Sequence, residues 1–226
     1  MDVILIAGLW LPSRVWNAVA SEMRRLGHRP IPVDLPGVDD GSIVATLDDQ
    51  ALAVVAAVDA AERPMVVAHS AAATLGWIAA DRRPGTIDRV AMIGGFPATD
   101  GGPYADIFPV VDGVMPFPGW EPFEGPDSVD LDESARSKIA AEAVAVPEAV
   151  AHGVVHLGDE RRFDVPVLLI CPEFSPHDAE EWIDAGDVPE LRRAHVSFAD
   201  IDSGHWPMVT KPAELAALLD GAAREA

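Results

Sequence analysis

Short apolar runs alternate with helical periodicities along most of the chain. Continuous runs rich in Val, Ile and Leu predict strands that are buried on both faces, and apolar residues at three- and four-residue spacing predict helices. The predicted strands lie at 3–6, within 29–37, and at 65–68, 89–95, 165–171 and 194–202. The predicted helices lie at 13–26, 46–62, 70–81, 179–185 and 212–225. Ser13 is the predicted cap of the first helix, and Thr46 with Asp49 forms a capping box for the second.

This alternation predicts an α/β fold with a mostly parallel central sheet and helices on both faces. Right-handed crossovers then place the carboxyl ends of the strands on one edge, where ligands bind. Residues 96–163 interrupt the rhythm with a Pro- and aromatic-rich stretch followed by a helical stretch at about 131–146. We interpret them as a short lid insertion within a single domain that spans residues 1–226.

Composition narrows the class of protein. The 226 residues are 49% hydrophobic, which is enough for a sizeable core, and carry a net charge of −21. Such a surface would repel nucleic acid and anionic membranes, so neither is an expected partner. The single cysteine, Cys171, excludes an intramolecular disulfide. The apolar opening carries Asp2 where a signal peptide has basic residues, and no run is long enough to cross a bilayer, so we expect a cytoplasmic protein.

The stretch "PMVVAHSAAAT" at 64–74 places Ser70 between a buried strand and a helix. A serine at such a sharp turn projects its oxygen above the edge of the sheet, and the crowded backbone needs small residues two positions away on each side. Ala68 and Ala72 meet that need. A plain helix N-cap is the alternative interpretation of Ser70.

Four motifs in order resemble those of α/β-hydrolase-fold serine hydrolases, over essentially the whole chain. They are "VILIAGLWLPSRVW", "VDLPG", "VVAHSAAA" and "IDSGHWPMVTKPAELAALL". The chain is similar to small bacterial members related to plant esterases and hydroxynitrile lyases. The resemblance implies that Ser70 is the nucleophile and His205 the general base, with backbone amides of Leu9 and Ala71 as the oxyanion hole. Ala7 stands where the family usually has His, but backbone donors do not depend on that side chain.

The catalytic acid departs from the family pattern. After the strand "VPVLLIC" the family usually has an Asp in a turn, and Ser175 occupies the matching position here. Glu173 lies on the same turn and has a longer side chain, so it is the candidate acid, although a solvated loop carboxylate is a comparable interpretation. Asp178 and Asp202 are the alternatives.

Aromatic residues predict an apolar substrate pocket. Trp10, Trp206, Phe96 and Trp120 are the candidate pocket residues, and Phe108, Phe117 and Phe123 lie in the same insertion. These side chains could equally form the core of the lid. His69 is expected to support the site by a hydrogen bond, and the spacing of His152 and His156 lacks the further ligand that a metal site needs, so neither metal nor cofactor is expected.

The sequence thus predicts an enzyme that cleaves a carboxylic ester or lactone of a small apolar or aromatic molecule. Two rivals stay open: a lyase or carbon–carbon hydrolase that uses the same serine and histidine, and a non-catalytic ligand-binding homologue. The oligomeric state is left open.

Overall fold

The computed structural model describes residues 1–224, and one parallel sheet forms its centre. In chain order the strands are β1 (Asp2–Ile6), β2 (Arg29–Pro32), β3 (Met65–His69), β4 (Arg89–Ile93), β5 (Val114–Met115), β6 (Val146–Pro147), β7 (Val167–Cys171) and β8 (Val196–Asp200). Six of them form the sheet, in the spatial order β2-β1-β3-β4-β7-β8, with every pairing parallel. The two-residue strands β5 and β6 pair separately and antiparallel.

Helices cover both faces of this sheet. They are α1 (Asn17–Arg25), α2 (Leu47–Asp59), α3 (Ala73–Arg82), α4 (Glu133–Glu142), α5 (Glu148–Ala151), α6 (Pro176–Ala185), α7 (Pro207–Thr210) and α8 (Pro212–Arg224). The predicted fold class is therefore confirmed. None of these helices, all within residues 1–224, has the length and apolar character needed to cross a bilayer.

The core divides into two layers because side chains alternate across each strand. In β1, Val3 and Leu5 join one cluster while Ile4 and Ile6 join the other. The central strand β3 repeats this alternation and is buried at every position. The continuous apolar run of β3 is therefore a strand that is covered on both faces, as the sequence predicted.

The helix boundaries follow local chemistry. Thr46 caps α2, and its hydroxyl and the Asp49 carboxylate form the predicted capping box. The prediction at Ser13 was wrong: a 3₁₀ turn at Ser13–Trp16 precedes α1, and the Ser13 hydroxyl donates to Asp34 at 2.6 Å instead of capping. The predicted helix at 131–146 is also shorter, since α4 begins after its cap Asp132 and ends at Glu142.

The segment between β4 and β7 is tied to the residues that follow β1. The buried Trp10 indole donates to the carbonyl oxygen of Met115 at 3.1 Å, and the amide of Val144 donates to the Trp10 carbonyl at 2.9 Å. These contacts attach both the β5–β6 pair and the residues after α4 to one position on the carboxyl edge of the sheet.

A buried ionic cluster attaches the end of the same segment. Arg162 contacts Glu190 at 3.1 Å and Asp81 at 3.3 Å, and all three side chains are buried. The indole of Trp77 donates to Glu190 at 3.0 Å. Two buried carboxylates thus depend on one guanidinium for compensation of their charge.

We expect Arg162→Met to lower the free energy of unfolding by about 3–5 kcal/mol, because it leaves two buried carboxylates unpaired. Arg161→Met is the matched control, since the exposed Arg161 pairs with Asp159 at the surface, and exposed pairs contribute about 0–1 kcal/mol. Urea denaturation of both variants measures the difference. Equal losses would contradict a structural role for the Arg162 cluster.

Candidate active site

Ser70 lies at a strained corner between β3 and α3. Its φ of +56° is in the left-handed region that a non-glycine residue seldom adopts. A 3₁₀ turn at Ser70–Ala72 precedes α3, and the Ser70 side chain accepts no capping hydrogen bond among residues 1–224, so the plain N-cap interpretation is wrong. Ala68 and Ala72 are fully buried, which agrees with the need for small residues around the turn.

The loop after β1 approaches this corner closely. A Cβ added to Gly8 would lie 3.1 Å from the Ser70 Cβ, and the next residue, Leu9, lines the same cavity as Ser70. Ala71 directly follows the serine in the 3₁₀ turn. Neither the Leu9 nor the Ala71 amide hydrogen bonds to an acceptor within residues 1–224. Both amides are therefore free donors beside the serine, where negative charge would develop on an attacked carbonyl oxygen.

His205 lies in the loop between β8 and α7 and is paired with Glu173. Its Nδ1–H donates to Glu173 Oε1 at 2.7 Å, and both side chains are 13% exposed. The second carboxylate oxygen, Oε2, is buried without a hydrogen-bond partner in the described part of the chain. A carboxylate in this position orients the imidazole and stabilises its protonated form. The same loop places the His205 ring beside the cavity that Ser70 also lines.

Gly94, directly after β4, makes this pairing possible. Its φ is +57°, and an added Cβ would lie 3.1 Å from both Glu173 Oε2 and His205 Nδ1. The next residue, Gly95, lies against the elbow, since a Cβ there would be 2.4 Å from the Ser70 carbonyl oxygen. The sequence predicts this Gly-Gly pair as the end of a strand. Two adjacent glycines after a buried strand also indicate that another part of the chain approaches the backbone closely there.

The other acid candidates lie elsewhere. Asp178 forms a capping box with Ser175 at the start of α6, with the serine hydroxyl 2.7 Å from its Oδ2. Asp202 is exposed to solvent. Ser175, at the position of the usual family aspartate, is thus a helix cap, and Glu173 is the carboxylate that the structure brings to His205.

His69 links the serine corner to the histidine loop. Its Nε2–H donates to the His205 carbonyl oxygen at 2.8 Å, and the rings lie 4.8 Å apart. Burial and then the neighbouring His205 hold the pKa of His69 well below its ordinary value, so the ring is neutral at pH 7. The supporting hydrogen bond that the sequence predicted is therefore made to the backbone of His205.

A cavity of about 50 Å³ separates the serine from the lid. Its walls are mostly apolar and carry no lysine or arginine: Leu9, Trp10, His69, Ser70, Ile107, Phe108, Phe123, His205 and Trp206. Trp10 and Trp206 therefore line it as predicted pocket residues.

Two other predicted pocket residues lie outside the cavity walls. Trp120 packs behind Trp206, with ring centroids 5.3 Å apart, and so belongs to the lid packing. Phe96 stacks on Phe174 at 5.5 Å and contacts Trp182 on α6. The sequence predicts both as pocket residues because aromatic character alone does not specify the direction in which a side chain points.

Cys171 ends β7 and is buried. Burial, followed by the carboxylates of Asp200, Glu173 and Asp178, raises the pKa of its thiol to about 12. A thiol that stays protonated is a poor nucleophile, so Cys171 is not suited to that role.

Comparison with known proteins identifies the family. Residues 3–218 match the model of the alpha/beta hydrolase family, so the chain belongs to that family. No curated protein is significantly similar to it in sequence.

Solved structures share the fold over the full chain. An extracellular α/β-hydrolase from a Paenibacillus species, described as a structural and functional homologue of tobacco salicylic acid binding protein 2, superposes with a TM-score of 0.81 at 18% identity, covering 98% of each chain. A methylesterase from Arabidopsis superposes at 0.76 with 13% identity and 100% of both chains covered. A pyrethroid hydrolase from Sphingobium faniae superposes at 0.71 with 18% identity, covering 100% of this chain and 99% of its own. At these identities the likeness shows the fold alone.

The depressed pKa of His69 predicts a pH-dependent stability. In the unfolded chain this histidine binds a proton near its ordinary pKa of about 6.5, whereas in the native state it stays neutral at that pH. The free energy of unfolding therefore falls as the pH drops below about 6.5. His69→Gln keeps a donor for the His205 carbonyl but does not titrate. We therefore expect a shallower loss of stability between about pH 6.5 and pH 5 in this variant than in the wild type.

Urea denaturation at several pH values measures this slope. The matched control is His156→Gln, which replaces an exposed histidine outside the cavity walls. The same slope in His69→Gln and in the wild type would contradict a buried neutral His69.

Proposed function

We propose that this α/β hydrolase is a serine esterase or lactonase that forms an acyl-enzyme on Ser70. The observation that carries the proposal is the 2.7 Å hydrogen bond from His205 to Glu173, beside a cavity lined by both Ser70 and His205. A buried acid–histidine pair next to a serine on a strained corner is the arrangement of an activated nucleophile.

In the proposed first step, the Ser70 hydroxyl oxygen attacks the acyl carbonyl carbon while His205 Nε2 accepts the hydroxyl proton. The amides of Leu9 and Ala71 then donate to the oxyanion of the tetrahedral intermediate. Glu173 stabilises the positive imidazolium. The Ser70 hydroxyl makes no hydrogen bond to His205 within residues 1–224, and catalytic hydrogen bonds of this kind often tighten only when substrate binds.

In the second step, His205 returns the proton to the leaving alcohol oxygen as the carbon–oxygen bond breaks. Water then attacks the acyl carbonyl carbon while His205 Nε2 accepts a proton from it. The bond from the acyl carbon to the Ser70 oxygen breaks as His205 returns that proton to the serine oxygen, and the carboxylic acid leaves. In a lactone both products are one hydroxy acid.

The walls of the cavity support an uncharged substrate with a short acyl group. The cavity measures about 50 Å³, whereas sites for drug-sized ligands measure about 300–1,000 Å³. Trp10 and Phe108 limit the space, with ring centroids 5.5 Å apart. The names of two structural neighbours, a methylesterase and a pyrethroid hydrolase, also favour ester substrates.

Covalent labelling tests the nucleophile. A fluorophosphonate probe should phosphonylate Ser70 of the wild type at neutral pH, with loss of fluoride, and should not label Ser70→Ala. A non-catalytic binding protein would label no better than the variant, which would overturn the proposal. Turnover of cyanohydrins or diketones without turnover of simple esters would instead favour the lyase or carbon–carbon hydrolase alternative.

Glu173→Gln should lower kcat for p-nitrophenyl acetate by at least about tenfold, because a neutral amide cannot stabilise the imidazolium. Asp202→Asn is the matched control, since it removes an exposed carboxylate three residues from His205. Steady-state kinetics of both variants give the comparison. An unchanged rate in Glu173→Gln would exclude Glu173 as the acid.

Acyl-chain length tests the cavity. We expect kcat/KM to fall by about tenfold or more from p-nitrophenyl acetate to the octanoate, because a misfit of several methylenes exceeds the about 1–3 kcal/mol that one methylene contributes to discrimination. Phe108→Ala should reduce this preference by opening the cavity. Phe96→Ala, at an aromatic residue outside the cavity, should not. A wild type that prefers octanoate would contradict the assignment.

A further inference from the structure

A segment of the lid packs directly against the loop that carries the catalytic histidine. The amide of His205 donates to the carbonyl oxygen of Asp127 at 2.7 Å. A Cβ added to the preceding residue, Gly204, would lie 2.3 Å from that same oxygen and 2.6 Å from Asp130 Oδ1. The lid therefore touches the histidine loop along its backbone, and only glycine allows this approach.

The Asp130 carboxylate is the polar centre of this contact. Its Oδ2 accepts a hydrogen bond from the buried hydroxyl of Ser203 at 2.9 Å, and the hydroxyl of Thr210 lies 3.0 Å from the same Ser203 oxygen. Its Oδ1 is buried against Gly204. Burial would raise the pKa of Asp130, but the surrounding donors of Thr210, Gly204 and Ser203 outweigh it and hold the pKa below its ordinary value. A charged acceptor thus joins the lid to residues on both sides of His205 in sequence.

The backbone of His205 is consequently held from two directions. His69 donates to its carbonyl oxygen from the serine corner, and Asp127 accepts from its amide on the lid side. Neither contact fixes the residues before His205, whereas Asp130 binds Ser203 and covers Gly204. Because a shift of about 1 Å at a catalytic group can lower the rate by about 100-fold, the position of this loop matters for the His205 ring.

We propose that Asp130 is a positioning residue for His205: the lid carboxylate holds the histidine loop so that the ring meets both Glu173 and the cavity beside Ser70. The role of His205 in turnover rests on the proposed esterase function, but the positioning of its ring does not.

Proton NMR of the full chain tests the positioning independently of turnover. The Nδ1–H of His205 should give a low-field signal, assigned by its loss in Glu173→Gln. In Asp130→Ala this signal should broaden or shift upfield, and in Asp130→Asn it should be largely retained, because the amide oxygen can still accept from Ser203. The matched control is Glu121→Gln, which removes one exposed lid carboxylate without touching the loop.

Kinetics of the same variants give the second readout. Asp130→Ala should lower kcat for p-nitrophenyl acetate by about 10- to 100-fold with KM changed less than about threefold, because Asp130 does not line the cavity. Asp130→Asn should restore most of the rate. If Asp130→Ala does not fold, Ser203→Ala removes the donor of the same hydrogen bond and carries the same expectations.

The outcomes separate the two proposals. An unchanged low-field signal in a folded Asp130→Ala or Ser203→Ala variant would overturn the positioning role, whatever the ester kinetics show. The signal could be lost in Asp130→Ala while the wild type neither hydrolyses esters nor is labelled at Ser70. That outcome would support the positioning role and refute the esterase function. A fall in thermal stability alone, with kcat of the folded enzyme unchanged, would also overturn the positioning role.

Discussion

The arrangement of the site depends on the hydrogen bond between His205 and Glu173. It joins the loops after β7 and β8, two neighbouring parallel strands whose carboxyl ends meet at one edge. Gly94, after the adjacent strand β4, leaves the space in which the two side chains meet. The glycine that follows it lies against the Ser70 backbone, so the same two residues accommodate both the Glu173–His205 pair and the corner at Ser70.

The site concentrates conformational and electrostatic cost, and the sheet offsets it. Ser70 has a strained backbone, and three of the six buried side-chain polar atoms that lack a hydrogen-bond partner within residues 1–224 are His69 Nδ1, Asp130 Oδ1 and Glu173 Oε2. Such departures persist only where the surrounding structure over-determines them. Here the support comes from two apolar layers, one on each face of the six-stranded sheet.

The segment between β4 and β7 contributes both walls and supports to the site. Its aromatic residues narrow the cavity, with Phe117 and Phe123 stacked at 6.0 Å behind Trp10. Two of its residues contact the histidine loop: Asp127 through its backbone carbonyl oxygen and Asp130 through its carboxylate. The ionic cluster of Arg162 attaches its far end to α3 and to the residues before β8. Insertion and sheet thus form one structural unit around the serine.

The sequence by itself determined the α/β fold, the strand order along the chain and the corner at Ser70, because apolar periodicity, turn residues and small residues act locally. It also favoured Glu173 as the acid, with a solvated loop carboxylate as a comparable interpretation and Asp178 and Asp202 as alternatives. Only the tertiary structure showed which of these carboxylates pairs with His205, since the pairing depends on which side chains meet between the loops after β7 and β8. It also placed Phe96 and Trp120 outside the cavity and Asp130 against the histidine loop, because side-chain direction and long-range contact are set by packing between segments far apart in the chain.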